Sequence, residues 1–142
     1  RKYGSDDINT SFDFRTGMWP DIELADYLIL LGKREQIIRD WMFLQESYPI
    51  ILTPVSLEPP LRPREDCQSF ERYREIAIAQ TWLIAANFLG LPAAAVPTGL
   101  YEGLPTGVQL VGRRFREDLC LDAAQVIEDS VGMLSQQLWT NY

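Results

Sequence analysis

Residues that could act in catalysis are few in this sequence of 142 residues, and histidine is absent. Without histidine the chain holds no Ser-His-Asp or Cys-His nucleophile system of its own. The commonest ligand of catalytic zinc is missing for the same reason. None of its serines has glycine on both sides, and its only lysines are Lys2 and Lys33. Chemistry in this chain would therefore have to use serine, lysine, carboxylate or tyrosine side chains; we assign none of them a catalytic role, and we predict no metal site.

Acidic side chains are the remaining candidates for acid–base chemistry. A glycosidase-like pair is one alternative, because two carboxylates can serve as acid and base. No spacing singles out any two of them, so this alternative has little support. The acidic residues considered are Glu58, Glu65, Asp66, Glu117 and Asp118.

Basic residues concentrate in one stretch, at Arg62, Arg64, Arg72 and Arg74. Acidic residues are interleaved with them, which favours a solvated surface whose charges compensate one another. The alternative interpretation is a clamp for an anion or a carboxylate. Cys67 and Cys120 lie far apart and form no Cys-x-x-Cys motif, which favours a reduced pair over a disulfide.

The composition sets limits on the class of protein. Hydrophobic residues make up 46% and charged residues 23%, which is typical of a globular chain. The net charge of −7 opposes nucleic-acid binding, which needs a basic face. No apolar run is long enough to span a membrane, and the N-terminus does not resemble a secretory signal. These features predict a cytoplasmic protein that binds neither nucleic acid nor membrane.

Short buried strands alternate with helices, which predicts an α/β fold with flanking helices. Residues 1–20 lack periodicity and are rich in turn-forming residues, so an arm or loop is expected there. Three strands make a thin sheet, which is typical of a segment of a larger sheet. The predicted elements are a helix from Asp21 with a break at Gly32, a second helical stretch Lys33–Glu46, strand Ile50–Thr53 ended by Pro54, a helix from Ser69 to about Asn87, strands Ala93–Val96 and Thr106–Val111, and a helix from Glu117 to Gly132.

One stretch, residues 87–112, carries fixed glycine and proline positions around two apolar runs. It resembles the C-terminal signature region of the amidase signature family, which consists of serine-dependent hydrolases of carbon–nitrogen bonds. The resemblance extends over roughly Ile22 to Glu128. The residues that carry it are Asn87, Gly90, Pro92, Gly99, Gly103, Pro105, Gly107, Gln109 and Gly112.

The resemblance implies a mixed sheet with flanking helices, with residues 21–142 as the C-terminal segment of an amidase signature domain. In that family a lysine and two serines in a Gly/Ser-rich stretch perform catalysis, and they precede the matched region. This chain lacks such a stretch and an initiator methionine. The expectation is therefore a C-terminal portion that is inactive alone. Its partner would be the N-terminal part of the same enzyme, acting on a small-molecule amide without metal or cofactor.

The same resemblance places Thr53, Pro54 and Val55 at a strand end, as candidates for lining the substrate channel. Pro54 equally fits a residue that simply ends the strand. Asn87 is expected to cap a helix and bond the loop backbone. Gln109, a polar residue in an apolar strand, is expected to hold the Gly/Pro loop in place.

Two further expectations concern what the chain binds. As part of a larger enzyme it would expose apolar surface, which predicts self-association into a homo-oligomer. The alternative is a stand-alone, non-catalytic domain that binds a small molecule or a partner chain. A soluble monomer with cooperative unfolding would favour this alternative.

Overall fold

A computed structural model describes residues 2–139 and contains both helices and strands, which confirms the α/β class. In chain order the elements are α1 (Asp6–Gly17), α2 (Leu24–Ser47), β1 (Ile50–Pro54), a 3-10 turn (Glu65–Cys67), α3 (Phe70–Ala79), α4 (Thr81–Leu89), β2 (Ala93–Tyr101), β3 (Leu104–Gly112), α5 (Glu117–Val131) and α6 (Leu134–Trp139).

The three strands form one sheet in the order β1-β3-β2, and both pairs are antiparallel. β2 and β3 are joined by a two-residue turn at Glu102 and Gly103, whose φ angles are 51° and 80°. Positive φ at both positions matches the right-handed twist of the strands, and glycine adopts it without steric cost. The central strand β3 thus holds two neighbours, whereas β1 and β2 each keep one edge unpaired among the described strands.

The main apolar core joins α2, α4 and β3. Ile38 of α2 packs with Ala86 and Leu89 of α4 and with Val111 of β3, and Trp41 is packed against them. Fully burying an aliphatic side chain of the size of isoleucine or leucine stabilises the fold by about 1.5–3 kcal/mol. Helix α5 contacts the same sheet through β2 and β3, so helices flank the strands as predicted.

The first helix corrects the prediction of an arm or loop over residues 1–20. Ser5 caps α1 by accepting a hydrogen bond from the Ile8 amide at 3.3 Å, and acidic residues follow in the first turn. These features stabilise a helix even though no apolar stripe marks it in the sequence. Phe14 anchors α1, because its ring lies 6.1 Å from Phe70 and 6.0 Å from Tyr73. The division of the chain into units at residue 20 stays a prediction.

Two helix boundaries also differ from the prediction. Helix α2 continues through Gly32, because a glycine costs only about 1 kcal/mol within a long helix. The helix predicted from Ser69 is instead divided at Gln80 into α3 and α4. At this point the Thr81 hydroxyl donates to the Ile78 carbonyl at 2.6 Å, a local bond that competes with regular helix geometry. Within residues 2–139, no helix is long and apolar enough to cross a membrane.

Candidate functional site

A cavity of about 430 Å³ lies between α1, α3 and α4. Trp19 and Tyr73 give it aromatic walls, and Ile84 adds an aliphatic one. Arg15 and Asp66 place opposite charges at its rim. Such a mixture of apolar walls and few polar groups is typical of small-molecule sites.

A second cavity, of about 250 Å³, adjoins it at the proline-rich loop 55–64, and a third, of about 170 Å³, adjoins the second. Leu61 and Gln80 line both the largest and the second cavity, so these two share a wall. Val55 lines both the second and the third, together with residues 105–107 of β3. We call this set of three cavities the groove. It passes from α1 to the end of β1.

The three predicted channel residues have different environments. Val55 lines the groove at two of its cavities. Thr53 is buried in the sheet, where its hydroxyl accepts a hydrogen bond from the Gln109 side chain at 3.1 Å. Pro54 is exposed at the end of β1 and lines none of the three groove cavities. A role in lining the channel stays a prediction for all three.

Gln109 has a different role from the expected one. Its amide nitrogen donates to the Thr53 hydroxyl and, at 3.4 Å, to the Trp82 carbonyl. It therefore joins β3 to β1 and α4, rather than holding the Gly/Pro loop. A buried amide requires such partners, since an unsatisfied one costs about 1–3 kcal/mol.

Two motif glycines permit close packing around β3. A Cβ atom at Gly107 would lie 2.5 Å from the Val96 carbonyl oxygen of the neighbouring strand. A Cβ atom at Gly112 would collide with the Cys120 sulfur of α5 and lie 3.3 Å from the Arg116 carbonyl oxygen. These positions bring strand and helix backbones together, which explains the glycines without a ligand.

The remaining motif residues shape the hairpin and the entry to it. Gly90 ends α4 with φ 65°, and the Asn87 carbonyl accepts from its amide at 3.1 Å. The Asn87 side chain is exposed, so the expected cap is made by its backbone. The Pro92 carbonyl accepts from the Gly112 amide at 2.9 Å. The other positions are Gly99 at the irregularity in β2, Gly103 in the turn, and Pro105 opposite Leu100 in β3.

Arg72 is the centre of a charge network that ties α3 to the proline-rich loop. It donates to Glu58 at 2.6 and 3.1 Å, to Glu65 at 2.8 and 3.1 Å, and to Glu75 at 3.0 Å. The exposed fraction of its side chain is 24%, so this part of the basic stretch is half-buried rather than fully solvated. With three carboxylates bound, its guanidinium is not available as an anion clamp.

This network also removes two carboxylates from the acid–base candidates. Hydrogen bonds from Arg72 hold the pKa of Glu58 below its usual value of 4.5. The Arg62 amide, and then Arg72, lower the pKa of Glu65 in the same direction. The Arg116 guanidinium likewise lowers the pKa of Asp118. A general acid needs a raised pKa, so these three groups do not support glycosidase chemistry.

Both cysteines are unpaired thiols within the described part of the chain. Burial raises the pKa of Cys120, and burial with the nearby Asp66 carboxylate raises the pKa of Cys67. Raised pKa values keep both thiols protonated, so they are poor nucleophiles. Over residues 2–139, no group of three or more His, Cys, Asp or Glu side chains is arranged to hold a metal ion.

Several groove residues are not marked by any motif. Trp19, Leu61, Tyr73 and Gln80 come from separate parts of the chain and meet only in the tertiary structure. Trp19 and Leu61 each lie beside a proline, which is too common a signal to be specific. Arg72 is visible in the sequence only as one member of a mixed charge run.

The fold and the amidase motif have counterparts among known proteins. A solved structure of a glutamyl-tRNA(Gln) amidotransferase subunit from Thermotoga maritima superposes with a TM-score of 0.60 at 23% identity. The superposition covers 89% of this chain and 34% of that one, which establishes the shared fold. A family model described as Amidase matches residues 20–121. The chain belongs to the amidase family, which confirms the resemblance to the amidase signature enzymes.

Curated relatives are similar over most of this chain. An indoleacetamide hydrolase from Bradyrhizobium diazoefficiens is 39% identical over 97% of the chain and 26% of its own length. One from Bradyrhizobium japonicum is 42% identical over 83% of the chain and 26% of its own length. A glutamyl-tRNA(Gln) amidotransferase subunit from Lawsonia intracellularis is 31% identical over 72% of the chain and 21% of its own length. The chain spans about a quarter of the length of the curated relatives it matches.

Proposed function

We propose that this chain is the C-terminal portion of an amidase signature serine hydrolase of carbon–nitrogen bonds. The observation that carries the proposal is the family match over residues 20–121 in a chain that spans about a quarter of its relatives. In this role the chain completes the sheet and walls the substrate channel. The unpaired edges of β1 and β2 are suited to receive further strands.

The catalytic serines and lysine would lie outside this chain. Among the described residues, the groove contains Ser11 and Ser56 but no lysine that could serve as their base. The Ser56 hydroxyl already accepts a hydrogen bond from the Glu58 amide at 3.1 Å. An activated nucleophile needs an adjacent base, so the chain alone should not hydrolyse amides.

The substrate would be a small amide with an aromatic or other apolar side group. Trp19 and Tyr73 line the largest cavity and offer surfaces for ring packing. The two Bradyrhizobium relatives are named indoleacetamide hydrolases, which agrees with this class. The chemistry would use an acyl-serine intermediate and no metal or cofactor, in a cytoplasmic enzyme.

The partner of this chain would be the N-terminal part of the same enzyme. The first half of α2 exposes apolar side chains that need a covering surface. A chain produced alone should therefore self-associate, since soluble monomers rarely tolerate such patches. The exposed residues are Leu24, Tyr27, Leu28, Ile29, Leu30 and Leu31.

The first experiment is to sequence the coding DNA upstream of Arg1. A continuous frame with a lysine and a Gly/Ser-rich serine pair is expected. The complete protein and the 142-residue chain are then assayed side by side on an arylacetamide. Activity confined to the complete protein supports the proposal, whereas turnover by the purified 142 residues contradicts it.

A stand-alone binding domain is the second candidate, because residues of this chain line the groove described above. It predicts a monomer that unfolds cooperatively and takes up a small aromatic molecule. Sedimentation and thermal unfolding of the 142-residue chain separate the two candidates. An oligomer that dissociates when an N-terminal part is co-expressed favours the enzyme portion.

A further inference from the structure

We propose that Arg72 is a positioning residue that fixes the shape of the groove wall and so sets which amide side groups the enzyme accepts. The inference rests on the proposed function for its substrate. It assigns Arg72 no contact with substrate, because the residue does not line any of the three groove cavities.

The contacts of Arg72 reach both ends of one loop. Its two terminal nitrogens bind the two oxygens of Glu58, at 3.1 and 2.6 Å. Its Nε and one terminal nitrogen both bind the Oε1 oxygen of Glu65, at 3.1 and 2.8 Å. Glu58 and Glu65 bracket the segment 59–64, so one guanidinium on a helix holds the start and the end of that segment.

Besides Arg72, few contacts hold the bracketed segment: the Cys67 amide donates to the Arg64 carbonyl at 3.1 Å, and the Arg64 side chain donates to Asp7 at 2.8 Å. Pro59, Pro60 and Pro63 have no amide hydrogen to donate. The Arg62 amide donates to the Glu65 carboxylate at 2.7 Å, and the Glu65 amide donates to the Arg62 carbonyl at 3.1 Å. Both of these bonds depend on the position of Glu65, which Arg72 holds.

Leu61 links the position of this loop to the shape of the groove. It lies in the middle of the bracketed segment and lines both the largest and the second cavity. A shift of the loop would move this shared wall and change the width of both cavities. Binding of substrates with bulky side groups would be affected more than binding of those with small ones, because discrimination in an apolar pocket depends on fit.

The geometry requires arginine rather than any cation. A guanidinium presents a planar fork of donors, whereas lysine is a point charge that cannot hold two carboxylates in fixed orientations. The side chains of Glu58 and Glu65 are only 32% and 19% exposed, so water does not easily replace the lost bonds. Arg72→Lys therefore keeps the positive charge but no longer holds the two carboxylates in fixed orientations.

The test measures kcat and KM of the complete enzyme for an arylacetamide and for acetamide. In Arg72→Lys, KM for the arylacetamide should rise about 5- to 10-fold with kcat nearly unchanged, while acetamide kinetics stay within about twofold. Leu61→Ala should change the same ratio of KM values. Glu75→Gln is the matched control, because it removes the charge of a carboxylate that binds Arg72 but does not belong to the loop.

Two kinetic results would show a purely structural contact and overturn the inference. One is an equal loss of activity on both substrates. The other is a ratio of KM values that stays constant while the thermal midpoint falls.

A second measurement does not depend on activity. Hydrogen exchange on the complete protein should show the Arg62 and Glu65 amides losing about tenfold of their protection in Arg72→Lys but not in Glu75→Gln. Unchanged protection overturns the inference even if the enzyme acts on amides. If the complete protein hydrolyses no amide while protection falls as expected, the proposed function fails and the positioning role of Arg72 stands.

Discussion

Two apolar stretches of similar length differ completely in their burial. Residues 109–112 of β3 are all buried, whereas Leu28, Ile29, Leu30 and Leu31 of α2 are 58%, 58%, 48% and 40% exposed. This second half of β3 lies between two other strands and is packed by α4 and α5, so residues 109–112 are covered by this chain. A helix that is apolar on all sides is typical of the interior of a larger protein. The comparison separates a region whose side chains are covered by this chain from a region whose apolar side chains are exposed.

The strongest test of the self-contained region is Gly112→Ala. The added Cβ collides with the Cys120 sulfur and lies 3.3 Å from the Arg116 carbonyl oxygen, so the Cys120 side chain or α5 must shift away from β3. We expect the free energy of unfolding to fall by roughly 3 kcal/mol, the upper end for overpacking. Urea unfolding followed by tryptophan fluorescence measures it. Gly32→Ala is the control: its Cβ meets no atom within 4 Å, and the helix should gain about 1 kcal/mol. Equal midpoints for the two variants would contradict the packing argument.

A smaller loss is expected from Gln109→Leu. The change removes the donor that serves the Thr53 hydroxyl and the Trp82 carbonyl and leaves both acceptors without it. The free energy of unfolding should fall by about 2 kcal/mol. Adding Thr53→Val should recover part of this loss, because one of the two orphaned groups is removed. A strictly additive double mutant would show that the two side chains are not coupled.

The Arg72 network should make the free energy of unfolding depend on pH, whereas the packing around β3 should not. Hydrogen bonds from Arg72 lower the pKa of Glu58, and bonds from the Arg62 amide and Arg72 lower that of Glu65, both from 4.5. Their contribution to stability is therefore fully present above pH 4.5 and is lost as the pH falls through the lower folded values. The difference in urea midpoint between wild type and Arg72→Gln should be largest near neutral pH and shrink below pH 4.5. A difference that grows on acidification would contradict this sign.

The smallest effect on stability is expected in the exposed stretch. Replacing Leu28 and Ile29 together by Gln should change the free energy of unfolding by less than about 0.5 kcal/mol per site. Sedimentation of the same variant should show less self-association than wild type. A marked loss of stability with unchanged association would mean that this part of α2 is already packed within the chain.

Proline and glycine mark some element ends correctly, but the strand predicted as Ala93–Val96 continues through Pro97 and Gly99 to Tyr101. Pro54 ends β1, Gly103 forms the turn of the β2–β3 hairpin, and Gly132 follows α5 at its end. Helix α1 is not predicted because its sequence has no apolar periodicity. The Ser5 cap and the acidic first turn stabilise it instead. At the division at Gln80 the Thr81 hydroxyl donates to the Ile78 carbonyl, a local contact that periodicity cannot detect.

The family can be inferred from the spacing of the 87–112 motif, but the groove cannot. Its walls come from α1, the proline-rich loop, α3, α4 and β3, and no local pattern brings Trp19 and Leu61 together. The sequence predicts that Gln109 is buried with partners, but the identity of those partners depends on the register of Thr53 opposite Gln109. Register and tertiary contact are the two quantities that a single sequence leaves open.

The packing of Cys120 against Gly112 makes the modification rate of this thiol a measure of how often α5 separates from the sheet. Cys120 is 3% exposed, and its thiol donates to the Pro92 carbonyl at 3.6 Å, so a reagent in solution reaches it only when α5 separates from the sheet. Cys67 is more accessible and should be modified first. The rate at which the second thiol is modified therefore reports how often this interface opens, under conditions in which the rest of the chain stays folded.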